Sequence, residues 1–167
     1  GGLAGAVWQR TQAAANEAYD KTSQCGFTAL IGYEYSAAPN LSTLHRNVIF
    51  ANDRVPAPTT YFEQQTAEGL WQELRSTCSE AGTGCDVLAI PHNSNESNGL
   101  MFRLEGEETA SQTDDEKRVA AQRRAAMEPL VEVYQHKGDS ECMNEVGLGV
   151  GAPDELCGFE KSRRAFV

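Results

Sequence analysis

The sequence predicts an α/β fold of mainly parallel strands alternating with helices. Three observations point there. Short β-prone strings (FTALIGYEYS, NVIFA, DVLAI, LVEVYQ) are bounded by Gly, Pro and polar residues. Helix-forming stretches separate most of them. The order reads helix, strand pair, helix, strand, helix, strand, the pattern of βαβ units.

Residues 8–21 are Ala-rich and suit a helix. Residues 27–36 form the first expected strand, bounded by Gly26 and Pro39. Period-two alternation puts Phe27, Ala29, Ile31, Tyr33 and Tyr35 on one face. Thr28, Leu30, Gly32, Glu34 and Ser36 fall on the other. The bulky face suits packing under helices, and the smaller, mixed face suits a barrel interior. Residues 47–51 are a second short strand, either an edge strand or a hairpin partner of the first. Pro56 and Pro58 mark a loop. In residues 67–76, Leu70, Trp71 and Leu74 make an apolar helical stripe. Residues 86–90 form a strand that ends at Pro91-His92, and residues 93–99 form a polar loop. Thr113-Asp114-Asp115-Glu116 reads as a capping box opening a helix to about Met127, stopped before Pro129. Residues 130–135 are the last expected strand.

The net charge of −10 argues against a nucleic-acid partner, which would meet a basic stripe. The one basic cluster, Lys161, Arg163 and Arg164, is short and reads as a solvated terminus. No run approaches the ~18–20 apolar residues of a membrane span. The chain opens Gly1-Gly2-Leu3 without a Met and stops at Phe166-Val167, which suggests an internal segment of a larger protein or a processed domain.

Five cysteines occur without a CxxC pair, so a thiolate zinc site is not expected. Cys78 and Cys85 bracket a Gly-containing turn, and Cys142 and Cys157 bracket a Gly-rich loop. Either pair can close as a disulfide, which implies a periplasmic or secreted protein. Buried free thiols are the alternative. Cys25 is left over.

In parallel α/β architectures ligands bind beyond the carboxyl ends of the strands. The strands here end at Glu34, at His92-Asn93 and at Gln135-His136-Lys137. A buried carboxylate at Glu34 needs a cation or a partner, either a metal ion or Arg46. His92 is either a ligand or a hydrogen-bonded structural residue. The chain has three histidines, His45, His92 and His136, all near expected strand ends or loops. Imidazole and carboxylate together suit zinc, manganese or iron. Other chemistries find no support. There is no GxSxG elbow, no Walker loop and no GxGxxG, and the glycines from Gly147 to Gly151 have the wrong spacing.

The strings FTALIGYEYS, NLSTLHRNVIF, DVLAIPHNSNESNGLMF, EPLVEVYQHKGDSEC and DELCGFE resemble the family called domain of unknown function 3604. That family is similar to the PHP (polymerase and histidinol phosphatase) metal-dependent hydrolases. The resemblance runs over nearly the whole chain from Trp8. It implies part of a distorted (β/α) barrel with a two- or three-metal site, this chain being the middle of the barrel. Gly32-Tyr33-Glu34 matches a metal-bridging glutamate. Ile90-Pro91-His92 matches a ligand histidine loosely. His45 would line the site. Asn93, Asn95 and Asn98, with Arg46 and Lys137, would hold an anionic small-molecule substrate. His136 and Glu141 lie in the same family string without a defined role. The HxH and Asp-x-His strings of PHP sites are absent from this chain. The remainder of the polypeptide would therefore complete the metal set. The expected activity is hydrolysis of a phosphoester or related ester. The alternative is a non-catalytic exported binding module that keeps the barrel without metals.

Overall fold

A computed structural model of the chain describes residues 3–102 and 113–135. Its elements run α1 (Leu3–Ala18), β1 (Ile31–Tyr35), a 3-10 turn (Pro39–Leu41), β2 (Arg46–Phe50), α2 (Ala67–Leu74), a π-turn (Arg75–Ser79), β3 (Val87–Pro91) and α3 (Asp114–Met127). The three strands form one sheet in the order β1-β2-β3, and both pairings are antiparallel. This overturns the parallel barrel expected from the alternation of strands and helices. Ile31 faces Phe50, which faces Val87, so β2 and β3 are joined at one and the same end of the sheet.

The physical reason lies in the loop between β2 and α2. It does not simply turn. Trp8 Nε1 donates to the Pro56 carbonyl (3.0 Å), the Thr59 N–H donates to Tyr33 Oη (3.0 Å), and Tyr35 Oη donates to the Gln64 carbonyl (2.7 Å). Residues 56–66 therefore travel the length of the sheet across β1. Helix α2 then brings the chain back to the end it left, where β3 must start antiparallel to β2.

The face expected to be bulky is the core face. Ile31 and Tyr35 of β1, Val48 and Phe50 of β2, and Val87 and Ala89 of β3 are buried there. Trp8 from α1 and Leu70, Trp71 and Leu74 from α2 cover them. Each such side chain removed from water contributes about 1.5–3 kcal/mol. Trp8 packs edge-on to Tyr33, with ring centroids 5.8 Å apart. Burial pushes the Tyr35 phenol up to about 12, against the pull of Arg46. The smaller face, with Gly32 and Glu34, remains open where a barrel interior was expected.

Helix α2 begins at Thr66, whose hydroxyl accepts the Gly69 N–H. Its stripe continues into the π-turn and buries Cys78. Cys78 is bonded to Cys85 with Cα atoms 4.9 Å apart, as expected for the shorter pair. Gly82 and Gly84 take positive φ in the closed turn, where a side chain would strain the backbone. This link ties the end of α2 to the start of β3 and is compatible with an extracellular location. Cys78→Ser with Cys85→Ser is expected to lower stability by about 2–3 kcal/mol, read from the urea midpoint. The pair Cys142 and Cys157 lies outside the described residues, and Cys25 is free and exposed.

The capping box at the start of α3 forms as expected. Thr113 Oγ1 accepts from Glu116 N–H, and the Glu116 carboxylate accepts from Thr113 N–H (2.7 Å). These bonds hold the Glu116 carboxyl below its ordinary range. Beyond Met127 the expected strand 130–135 is irregular, with Leu130, Val131, Val133 and Tyr134 exposed. The Glu132 N–H reaches the Pro91 carbonyl (3.0 Å), but the Asn93 N–H bonds the Glu132 carboxylate (2.9 Å), not its backbone, and a ladder does not continue.

Candidate metal centre

Antiparallel pairing sets which residues share an end of the sheet. Glu34 lies near the carboxyl end of β1 and His92 just beyond the carboxyl end of β3. Strand β2 runs the other way, so the residue it brings to this end is the one before its start, His45. The His92 N–H donates to the His45 carbonyl (3.2 Å), extending the pairing by one step. Alternation from Arg46 and Pro91, which share the core side with Tyr35, turns His45 and His92 toward the open side with Glu34.

The three side chains meet there. His45 Nδ1 is 2.8 Å from Glu34 Oε1, and His92 Nε2 is 3.9 Å from the same oxygen. The two imidazoles pack edge to face with centroids 5.2 Å apart. One ligand atom from each residue lies within 4.8 Å of the others. An ion of the zinc type holds nitrogen and oxygen donors at about 2.0–2.2 Å, so tetrahedral donors sit about 3.3–3.6 Å apart. A single cation would need the 2.8 Å Glu34–His45 contact to open and the widest donor spacing, within 4.8 Å, to close. The sides differ in access: His92 is nearly buried at 11% side-chain exposure, whereas Glu34 is 47% exposed. A cation would be gripped from the sheet and reachable from solvent.

Gly32 precedes Glu34 by two residues on the same face. A Cβ there would stand 2.8 Å from the Val48 carbonyl oxygen and 2.8 Å from Ile49 Cδ1. The first of these is backbone and yields only if the strands part. Gly32→Ala is expected to cost about 1–3 kcal/mol and to displace Glu34, measured by thermal unfolding together with metal titration.

Several expected residues lie elsewhere. Arg46 points to the core, not to Glu34, so the alternative ion pair between them does not form. Its Nε is 2.9 Å from Glu128 Oε1, and its side chain is 4% exposed. A molecule approaching the triad would not meet it. Asn93 is buried, its Nδ2 donating to the Val133 carbonyl and its Oδ1 accepting the Asn95 N–H (2.9 Å). Asn98 Nδ2 donates to Ser42 Oγ (2.9 Å). These two amides thus tie the 93–99 loop to Val133 and to Ser42. His136, Lys137 and Glu141 lie outside the described residues.

Glu132 was not anticipated, and Gln135 was expected only as a polar strand-end residue without a role. Glu132 Oε2 is 3.9 Å from His92 Nδ1, and Gln135 Nε2 is 2.8 Å from it. The available signal was a lone carboxylate inside the apolar string LVEVYQ, with an amide three residues on.

A family model described as protein of unknown function (DUF3604) matches residues 2–166. No curated protein and no solved structure matches the chain.

Proposed function

The chain belongs to the family DUF3604, and we propose that Glu34, His45 and His92 hold a divalent cation in a hydrolytic site. The convergence of one carboxylate and two imidazoles within 4.8 Å carries this reading. Mixed nitrogen and oxygen donors suit zinc, manganese or iron. Three protein ligands leave a coordination position for water or substrate, the pattern of catalytic rather than structural sites. A cation bound there would acidify water and polarise an ester or phosphoester bond. The chain's own residues supply the rest. Glu34, half-exposed, offers a second carboxylate oxygen to a proton or a neighbouring ligand. The sheet holds the imidazoles in a fixed crossed arrangement. The substrate class is a phosphoester or related ester, and on a chain of net charge −10 an anionic one would depend on the cation for its attraction. The Cys78–Cys85 link supports an exported protein.

The test is elemental analysis of the purified chain, followed by zinc and manganese titration. Hydrolysis of nitrophenyl acetate and nitrophenyl phosphate is then assayed in the loaded protein. Bound metal lost in Glu34→Gln and His92→Ala supports the site, and unchanged metal content in both variants removes it. Metal binding without hydrolysis of either ester would favour a binding module instead.

A further inference from the structure

Within the strands, the open face of the sheet carries Gly32 and Glu34 of β1, Asn47 and Ile49 of β2, and Leu88 and Ile90 of β3. Asn47 is the polar exception on β2 and β3. It stands in the middle strand, directly opposite Glu34 on one side and Ile90 on the other. Opposed residues on one face carry their Cβ atoms about 4.5–5.5 Å apart, so the Asn47 side chain rises beside that of Glu34. His45 lies two residues earlier on the same face. Asn47 is exposed, and among the described residues its amide makes no hydrogen bond. The amides of Asn93 and Asn98 are instead spent on Val133 and Ser42. Asparagine is also a poor strand residue, here followed by Val48, Ile49 and Phe50, which are good ones. Ile49, Leu88 and Ile90 are half-buried and make an apolar floor next to it. Ile49 Cδ1 stands 2.8 Å from where a Cβ on Gly32 would be, so this floor continues across β1.

The open face thus passes from the triad, through one amide, to hydrocarbon. A molecule graded the same way fits it: one oxygen at the cation, another within reach of the amide, and an organic group over the apolar floor. A neutral amide can donate to such an oxygen without bringing a positive charge beside the cation. We propose that Asn47 is a substrate-binding residue of this site, donating from Nδ2 to an ester or phosphoester oxygen, and that Ile49, Leu88 and Ile90 seat the substrate's apolar group. This role rests on the metal site proposed above. It narrows the substrate class to esters that carry an apolar group beside the bond to be broken.

The experiment is calorimetric titration of the zinc-loaded full chain with methylphosphonate and butylphosphonate, which join a phosphate-like head to alkyl groups of two lengths. Butylphosphonate is expected to bind about tenfold or more tightly than methylphosphonate, at about two- to fourfold per methylene. Ile90→Ser should remove most of that gain. Asn47→Ala is expected to weaken both phosphonates about tenfold and to leave zinc affinity unchanged. Asn47→Thr, which suits a strand and keeps a donor, should recover part of the loss. If Asn47→Ala does not fold, Asn47→Val decides: about tenfold weakening supports the role, and unchanged phosphonate affinity overturns it. Equal affinity for the two phosphonates overturns the proposal, as does phosphonate affinity unmoved by loss of the amide. Zinc affinity that falls in Asn47→Ala also overturns it, because the amide would then serve the cation or the fold. A zinc-loaded chain that binds neither phosphonate overturns this role and leaves the metal site standing. No zinc bound by the unsubstituted chain overturns both.

Discussion

Replacing Glu128 with alanine is expected to cost the fold about 3–5 kcal/mol. Glu128 Oε1 accepts from Arg46 Nε (2.9 Å) and Trp71 Nε1 (3.0 Å), and Oε2 faces Arg124 Nε (3.3 Å). Its side chain is 2% exposed and that of Arg46 is 4% exposed. Truncation leaves the Arg46 guanidinium buried without its countercharge. Its one other described bond, to the Leu44 carbonyl, neutralises nothing. The consequence extends to α3. That helix is exposed along its length except near Arg124 and Met127, so its carboxyl end alone anchors it. A helix of 14 residues is marginal without tertiary contacts. Urea denaturation should report the loss, and amide exchange should report release of residues 114–127. A loss under about 1 kcal/mol would mean that the buried pair contributes little beyond packing. Arg46→Met with Glu128→Leu is expected to recover most of the stability, because apolar replacement of a whole buried pair is often neutral or better.

The second large effect concerns the metal centre. Glu34→Gln keeps size and removes charge, and His92→Ala removes a nitrogen donor from the buried side. Even changes beside a ligand cost about 10- to 100-fold in metal affinity. Loss of one of three ligands is therefore expected to cost about 100-fold or more, close to 3 kcal/mol. His45→Ala should weaken binding similarly, whereas Asn98→Ala should leave it unchanged, since Asn98 serves the loop through Ser42. Calorimetric titration with zinc separates these cases. Equal affinities for His45→Ala and Asn98→Ala would exclude His45 from the ligand set.

The triad was partly legible beforehand. The rule that ligands gather beyond carboxyl ends of strands picked out Glu34 and His92. It assumes parallel strands and so gave His45 no place at the rim; only the family resemblance put His45 on the lining of the site. In the antiparallel sheet the residue before β2 joins the residues that end β1 and β3. The same step reversed the expectation for Arg46. Beside His45 in sequence, it falls on the opposite face by alternation and turns to Glu128, 82 residues away.

Local chemistry in the sequence was enough to place the cores of β1, β2 and β3, though not to exclude a strand at 130–135, and to place the bulky face of β1, the stripe of α2, the Thr113 capping box and the short cysteine pair. Each depends on neighbours within a few residues, where side-chain period and hydrogen-bonding capacity act directly. Strand direction, the partner of Arg46, the place of His45 and the contact of Glu132 with His92 were decided only in three dimensions. Alternation fixes which face a residue takes but not which way the next strand runs. That direction was set by residues 56–66 crossing the sheet, through bonds to Tyr33, Tyr35 and Trp8 that join positions 26 to 48 residues apart.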